Sequence, residues 1–383
     1  MHKTEEKNDT NAEKAWIVGI NFHNNKNSDG IEGKTDVKSH LDELSSLLKT
    51  LGVETAGRTI VPIKKPSPAF LAGKGKTEEI ISNASDSGAS LIVFDDDLSP
   101  SQQKNWENLS KKRVIDRREV IINIFSERAA TKEASLQVEL AYCKYRLPRL
   151  TGAWKHLSRQ RGGRYGTKGA GEKQLEIDRR FLEKRIAALK KELDNIEKQR
   201  QTRRKLRENR EVFSCAIAGY TNAGKSTLLN RLTGANVSAN NRLFDTLDPV
   251  TRKLRLPNGK EIVITDTVGF IRKLPHQLIE AFKSTLEETV FADLVILLLD
   301  ASSNEVKSHY RTSMEVLKEI GVEKGKIMTL FNKTDIAQDS CAIPLLKNEY
   351  EDSLFVSALD GRNIDKFISE IEKRFQYSTE KRE

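Results

Sequence analysis

Gly219-Tyr220-Thr221-Asn222-Ala223-Gly224-Lys225-Ser226 follows the apolar run Phe213-Ser214-Cys215-Ala216-Ile217-Ala218 and opens into Thr227-Leu228-Leu229-Asn230-Arg231-Leu232. Strand, glycine loop and helix in that order, spaced G-x-x-x-x-G-K-S, predict a phosphate-binding loop. Glycine is needed because the backbone must curl around phosphate with its N–H groups inward. A helix starting at Lys225 adds the positive end of its dipole. Lys225 is the expected contact to the β- and γ-phosphates, and the Ser226 hydroxyl the expected Mg²⁺ ligand. Gly219 through Thr227 are therefore assigned to nucleotide binding.

Three stretches further on specify the nucleotide. Asn332-Lys333-Thr334-Asp335 follows the strand-like Lys326-Ile327-Met328-Thr329-Leu330-Phe331. There Asp335 can accept from guanine N1–H and the 2-amino group, donors that adenine lacks, and a buried carboxylate left unpaired rejects the wrong base. Asp266-Thr267-Val268-Gly269 follows Glu261-Ile262-Val263-Ile264-Thr265, so a carboxylate ends a strand where it can hold Mg²⁺ through water. Ser357-Ala358-Leu359 follows Ser353-Leu354-Phe355-Val356 and offers backbone support to the guanine ring. Each motif alone is weak, but four in this order, each at a strand end, imply a GTP-binding domain of α/β class.

The residue after Gly269 is Phe270, where Ras-like enzymes place the glutamine that orients the attacking water. A phenyl ring has neither donor nor acceptor, so slow intrinsic hydrolysis is expected, with the ring turned onto apolar surface. Asn222 admits two readings that stay open: its side-chain oxygen holds a K⁺ near the phosphates, or it only braces the loop.

The 383 residues suffice for two or three domains with cores of their own, and 37% hydrophobic with 31% charged residues reads as globular. The apolar run Leu294 to Leu299 is too short to span a bilayer, and Met1 to Lys14 carries no apolar leader segment. Cys143, Cys215 and Cys341 are odd in number and far apart, which indicates neither a disulfide frame nor a metal site and fits the cytoplasm. The net charge is +10, and Lys155 to Arg210 alone holds 19 Lys/Arg against 8 Asp/Glu, or +11, leaving −1 for the remainder. The basic excess is one segment, and a polyanion is its expected partner.

Along the chain, residues 1–14 read as a disordered tail. Trp16 to Phe22 predicts a strand and Asp36 to Leu51 an amphipathic helix with Val37, Leu41, Leu44, Leu47 and Leu48 inward. A strand from Val53 to Val61 is expected to break at Pro62. A helix entered through Gly73-Lys74-Gly75-Lys76, a strand Ser90 to Phe94, a helix Pro100 to Ser110 and a strand Arg113 to Asp116 complete a small parallel α/β domain, residues 15–130. Leu136, Leu140, Cys143 and Leu147 form a helix stripe expected to end at Pro148. Leu182, Ile186, Leu189, Leu193 and Ile196 form another, on a helix of roughly Gln174 to Arg207. Residues 131–210 are thus an antiparallel helical hairpin, whose stripes form its own seam rather than a dimer zipper, so a monomer is expected. Its loop, 151–173, is glycine-rich and basic. Residues 211–377 form the GTPase domain, and 378–383 are a charged tail.

These stretches resemble an HflX-type GTPase of the Obg–HflX group of ribosome-associated P-loop GTPases. The resemblance is carried by Leu71-Ala72-Gly73-Lys74-Gly75-Lys76, Leu136-Gln137-Val138-Glu139-Leu140-Ala141, Leu147-Pro148-Arg149-Leu150 and Gln174-Leu175-Glu176-Ile177-Asp178-Arg179-Arg180. The nucleotide motifs, Phe244-Asp245-Thr246-Leu247-Asp248-Pro249 and Asp266-Thr267-Val268-Gly269-Phe270-Ile271 add to it. It covers about Trp16 to Tyr377. It implies an N-terminal α/β domain, a helical hairpin and a Ras-like domain, GTP hydrolysis with Mg²⁺, binding of the large (50S) ribosomal subunit and its rRNA, and splitting of stalled ribosomes. It also favours Thr246 over Thr251 as the residue that senses γ-phosphate and completes the Mg²⁺ shell, which makes Lys225, Thr246 and Gly269 the catalytic set. Arg159, Arg161, Arg164, Tyr165, Lys168 and Lys173 become the residues expected to enter rRNA, by charge and by stacking on unpaired bases. The loop carries Lys168, Ala170 and Lys173 where the family usually has Arg, Pro and Thr, so its conformation is expected to differ. Only the charged tail follows Tyr377, so the contact of a C-terminal extension present in some members is expected to be missing.

Three other classes compete: a GTP-dependent 50S assembly factor, a signalling switch acting on a protein effector, and a passive RNA-binding module. The +11 segment weighs against the effector, since protein interface cores are depleted in charge.

Overall fold

The structure, a computed structural model, describes residues 13–22, 37–152, 170–208, 212–235, 243–244, 247–273, 283–337 and 342–380. Arg159, Arg161, Arg164, Tyr165, Lys168, Asp245 and Thr246 lie outside them, as does the side chain of Lys173. Contacts divide the chain into two compact units, one of residues 1–124 with 142–185, the other of residues 125–141 with 186–383.

In the first unit, β1 (Lys14–Phe22), β2 (Glu54–Ile63), β3 (Leu91–Phe94) and β4 (Arg113–Asp116) form a parallel sheet in the order β2-β1-β3-β4. The helices α1 (Val37–Thr50), α2 (Lys74–Asp86) and α3 (Pro100–Ser110) connect the strands, and α4 (Arg117–Arg128) follows β4. Helix α1 buries the expected stripe of Val37, Leu41, Leu44, Leu47 and Leu48. A Cβ at Gly19 would stand 2.8 Å from Val37 Cγ1, so this glycine is what lets α1 lie so close on β1. Helix α3 starts from a capping box, Ser99 with Gln102, and Pro100 in its first turn. Gly73 caps α2, so the Gly73-Lys74-Gly75-Lys76 stretch is a helix entry.

Two expected breaks do not occur. Strand β2 continues through Pro62 to Ile63 because β2 is an edge strand, where a residue without an N–H need not leave a ladder bond unmade. Helix α5 (Lys132–Gly152) continues past Pro148. Arg149 holds that last turn from outside: its guanidinium donates to Tyr145 O, Leu98 O, Gln103 Oε1 and Asp116 Oδ2 and lies 3.4 Å over the Tyr145 ring.

Beneath the carboxyl ends of β3 and β4 the first unit carries a buried ionic network. The Arg117 guanidinium, 2% exposed, pairs with Asp95 at 2.6 Å and Glu43 at 2.5 Å. Asp116 accepts from Tyr145, Arg149 and two backbone N–H groups.

The second unit holds a six-stranded sheet in the order β10-β9-β8-β5-β7-β6. Its strands are β5 (Ser214–Gly219), β6 (Val250–Arg255), β7 (Glu261–Asp266), β8 (Leu294–Asp300), β9 (Ile327–Asn332) and β10 (Leu354–Phe355). All pair in parallel except the edge strand β6, antiparallel to β7. The helices are α7 (Lys225–Thr233), α8 (Lys283–Val290), α9 (Val306–Glu319), α10 (Ala342–Glu349) and α11 (Ile364–Glu380), together with the later part of α6 (Ala170–Glu208). The central β8, Leu-Val-Ile-Leu-Leu-Leu-Asp, is buried through Leu299, as a strand covered on both faces must be. Ile217, Leu228, Ile264, Ile296, Leu298, Leu330 and Phe367 form the core. On α6, Leu189 is fully buried, with Leu182, Ile186, Leu193 and Ile196 half-buried around it. Among the described residues no helix is long and apolar enough to cross a membrane.

Replacing Arg117 with Met should destabilise the first unit by about 3–5 kcal/mol, because Asp95 stays buried without its cation. Urea denaturation followed by tryptophan fluorescence, with Trp106 fully buried in this unit, reads the loss as a lowered midpoint.

Candidate nucleotide site

The carboxyl ends of β5, β7, β9 and β10 converge, and each of the four motifs begins at one of them. Gly219 ends β5 with φ +149°, where a Cβ would meet the Leu298 carbonyl oxygen at 2.1 Å. Gly224, N-cap of α7, has φ +95°, and a Cβ there would lie 2.4 Å from Asn332 Nδ2. A side chain at Gly219 would have to move the backbone, and one at Gly224 would displace the Asn332 amide in a conformation strained for any other residue. Asn222 between them is exposed with φ +61°.

Lys225 is buried in the first turn of α7, its Nζ donating to Tyr220 O at 3.0 Å and Gly219 O at 3.4 Å. Burial pushes its pKa down to about 8, the nearby Asp266 carboxylate pulling the other way. Ser226 Oγ donates to Asp266 Oδ2 at 2.7 Å, so the hydroxyl and carboxylate expected around a metal meet directly. Thr267 is turned inward, its hydroxyl on Ile217 O, and Val268 is buried.

Gly269 passes close over the loop. A Cβ on it would stand 2.8 Å from Thr221 Cγ2 and 2.9 Å from Lys225 Nζ. Phe270 N–H donates to Gly219 O at 2.9 Å, and Phe270 O accepts from Thr221 N–H at 2.8 Å. The Phe270 side chain is fully buried. Beyond it, Arg272 N–H donates to the Tyr220 hydroxyl, while the Tyr220 ring stacks on His309 at 3.8 Å.

At β9, Asn332 is a brace: Nδ2 donates to Ala223 O at 2.8 Å and Oδ1 accepts from Ala358 N–H at 2.9 Å. Lys333 pairs with Asp300 at 2.7 Å. The Asp335 Oδ1 and Thr221 Oγ1 atoms are buried without a hydrogen-bond partner among the described residues. Ser357 is buried, Ala358 is bound to Asn332, and Leu359 is 69% exposed at the rim. Thr251 belongs to β6, its hydroxyl 2.9 Å from that of Thr265.

Two contributors escaped sequence reasoning. Arg231, about two turns into the motif helix, donates Nε to Ala358 O at 3.1 Å and its terminal nitrogen to Leu359 O. It ties the Ser357–Leu359 loop to the helix that follows the glycine loop, and no residue pattern marks a surface arginine for that work. Arg272 is fixed by Glu305 and Ser308 at the start of α9, and only its place after the Asp266 motif hinted at it.

Family models match the chain in succession: GTP-binding GTPase N-terminal over residues 38–126, GTP-binding GTPase middle region over residues 128–207, and 50S ribosome-binding GTPase over residues 214–333. A GTPase HflX from Akkermansia muciniphila is 46% identical over 335 residues, spanning 86% of this chain and 75% of that protein. The GTPase HflX of Escherichia coli K12 is 39% identical over 366 residues, 95% of this chain and 83% of its own. Among solved structures, the complex of SsGBP with GDP aligns at a TM-score of 0.51 and 25% identity, over 95% of this chain and 99% of that one.

The depressed Lys225 pKa has a measurable consequence. Without nucleotide, Lys225 gives up its proton as pH rises through about 8. Phosphate binding needs the cation, so above that pH binding must take a proton up. GDP affinity should be level below about pH 7.5 and fall toward tenfold per unit above about pH 8.5, with Lys225→Arg weaker but flatter. Titration with a fluorescent GDP across this range checks it; an unchanged affinity contradicts it.

Proposed function

Because the chain belongs to the HflX GTPases, and so hydrolyses GTP, we propose that it couples hydrolysis to binding the large ribosomal subunit and splitting stalled ribosomes. One observation carries the reading: a segment of net +11 is joined to a guanine-nucleotide site in a chain that is otherwise close to neutral. Such a segment suits a polyanion. The domain matched as a 50S ribosome-binding GTPase supports rRNA as that polyanion.

In this reading the boundaries near 130 and 210 divide the labour, in keeping with the three family matches. Residues 15–130 and the hairpin 131–210 dock on the large subunit, and Arg159, Arg161, Arg164, Tyr165, Lys168 and Lys173 meet rRNA. The backbone of Gly219 to Gly224 cradles the phosphates, and Lys225 neutralises them. Asp335 reads guanine N1–H and the 2-amino group, and Ser357-Ala358-Leu359 supports the ring. Hydroxyl and carboxylate oxygens are the hard ligands Mg²⁺ prefers, so Ser226, with Asp266 through water and Thr246, would hold it. When bound there, Mg²⁺ would supply neutralisation of phosphate charge. The exposure of Asn222 supports its side-chain oxygen as a ligand for K⁺. The protein acts as a monomer in the cytoplasm, where ribosomes are.

Replacing Asp335 with Asn turns an acceptor into a donor and should weaken GTP at least a hundredfold while favouring xanthosine nucleotides, about 3 kcal/mol for a mispaired buried group. Equal GTP binding by calorimetry would remove Asp335 from the base site.

Co-sedimentation with 50S subunits should be strong with a non-hydrolysable GTP analogue and weak with GDP. The combined change Arg161→Ala, Arg164→Ala and Lys168→Ala should flatten the log–log salt dependence by about two to three units and leave GTP affinity as it was. Binding that ignores the nucleotide, or a triple variant with the parental salt slope, refutes the corresponding part.

A further inference from the structure

Tyr220, the second residue of the glycine loop, is buried, and its ring stacks on His309 of α9 with centroids 3.8 Å apart and planes at 16°. Its hydroxyl accepts Arg272 N–H at 2.9 Å. The side chain is thus occupied by protein, while the main-chain carbonyl of the same residue accepts Lys225 Nζ at 3.0 Å and Ala223 N–H at 3.3 Å. Whatever holds the Tyr220 ring also holds the carbonyl that the buried lysine leans on.

The His309 imidazole is itself held in place. It lies one turn into α9, and Glu305 stands at the start of that helix. One oxygen of the Glu305 carboxylate accepts Arg272 Nη2 at 2.7 Å, and the other lies 3.8 Å from His309 Nε2. Arg272 Nη2 also donates to Ser308 Oγ at 3.1 Å. The contacts close a circuit: Tyr220 to His309, His309 to Glu305, Glu305 to the Arg272 guanidinium, and Arg272 N–H back to Tyr220. Three segments enter it, those that follow β5, β7 and β8. The carboxyl end of β8 carries none of the four nucleotide motifs, so this circuit is how the central strand's connection takes part in the site.

We propose that His309 is a positioning residue for the guanine nucleotide. Its ring fixes Tyr220, and the Tyr220 carbonyl then holds Lys225 and the curl of the loop before a phosphate arrives. The proposal rests on reading Gly219–Ser226 as the phosphate-binding loop. A loop free to search other conformations must be ordered when ligand binds, and that entropy is subtracted from affinity. GDP and GTP share the phosphates next to the nucleoside, so loosening Tyr220 weakens both alike. An interaction lost equally from ground and transition states raises KM and leaves kcat unchanged.

The test uses the full-length protein, with the dissociation constants of GDP and a non-hydrolysable GTP analogue measured beside kcat and KM. His309→Leu keeps an apolar side chain of similar bulk but loses the flat face, and His309→Phe keeps the face. The Leu variant should bind both nucleotides about threefold to tenfold more weakly, the size an aromatic pair commands, with kcat within about twofold. The Phe variant should recover most of the affinity. Tyr220→Leu removes the other ring, and combining it with His309→Leu should cost no more than the weaker single change, because both delete one contact. Parental GDP affinity in folded His309→Leu, a Phe variant as weak as the Leu variant, or additive losses in the double variant overturns the proposal. If His309→Leu melts below the assay temperature, Tyr220→Leu decides: a loss of the same size supports the role and parental GDP affinity overturns it. Lys225→Ala, run alongside, separates the two levels. If it binds GDP as the parent does, the reading of the loop fails; if it is weak while His309→Leu is not, only the positioning role fails.

Discussion

The nucleotide site depends on one buried amide. Asn332 is 2% exposed and both its polar atoms are committed, one to the glycine loop at Ala223, the other to the loop after β10 at Ala358. Three segments distant in sequence are thus held by one side chain that ends β9. Its loss would leave a buried carbonyl and a buried N–H unsatisfied, at about 1–3 kcal/mol each, more than the bonds themselves contribute. The same amide explains Gly224, since a Cβ would collide with it. Arg231 adds a second tie from α7 to the same loop.

Around that brace the phosphate loop is preformed at electrostatic cost. Lys225 is buried against two carbonyls with a lowered pKa, a poor place for a cation and a good one for meeting phosphate. Phe270 closes on the loop through two backbone bonds while its side chain is fully buried. With that side chain buried and lacking a donor or acceptor, Phe270 cannot orient water.

The two units solve stability differently. The sheet around β8 is covered on both faces by apolar side chains, a core that needs little directional bonding. The first unit has an apolar core too, around Val18, Ile92, Phe94 and Trp106, and adds Arg117, Asp95 and Asp116 under its strand ends, where a satisfied polar network specifies one arrangement and tolerates loss poorly. That network also carries α5 past Pro148, through Arg149.

Sequence alone determined the nucleotide site's chemistry and the order of its parts. Spacing in Gly219 to Ser226, and an apolar run before each of Asp266, Asn332 and Ser357, leave few other folds, because a phosphate loop needs strand, glycine and helix in register. The α1 stripe and the α3 cap were legible for the same reason, being local patterns of period and hydrogen bonding. What sequence could not show is which side chains meet across distance. The passage of β2 through Pro62 depends on β2 being an edge strand, a property of the sheet. Continuation past Pro148 depends on partners 32 to 50 residues earlier in the chain, Asp116, Gln103 and Leu98. Asn332 as brace, Arg231 as tie and Thr131 on Asp248 are likewise contacts between segments roughly a hundred residues apart. Periodicity carries information only over the span of one element, and only packing of the chain decides the rest.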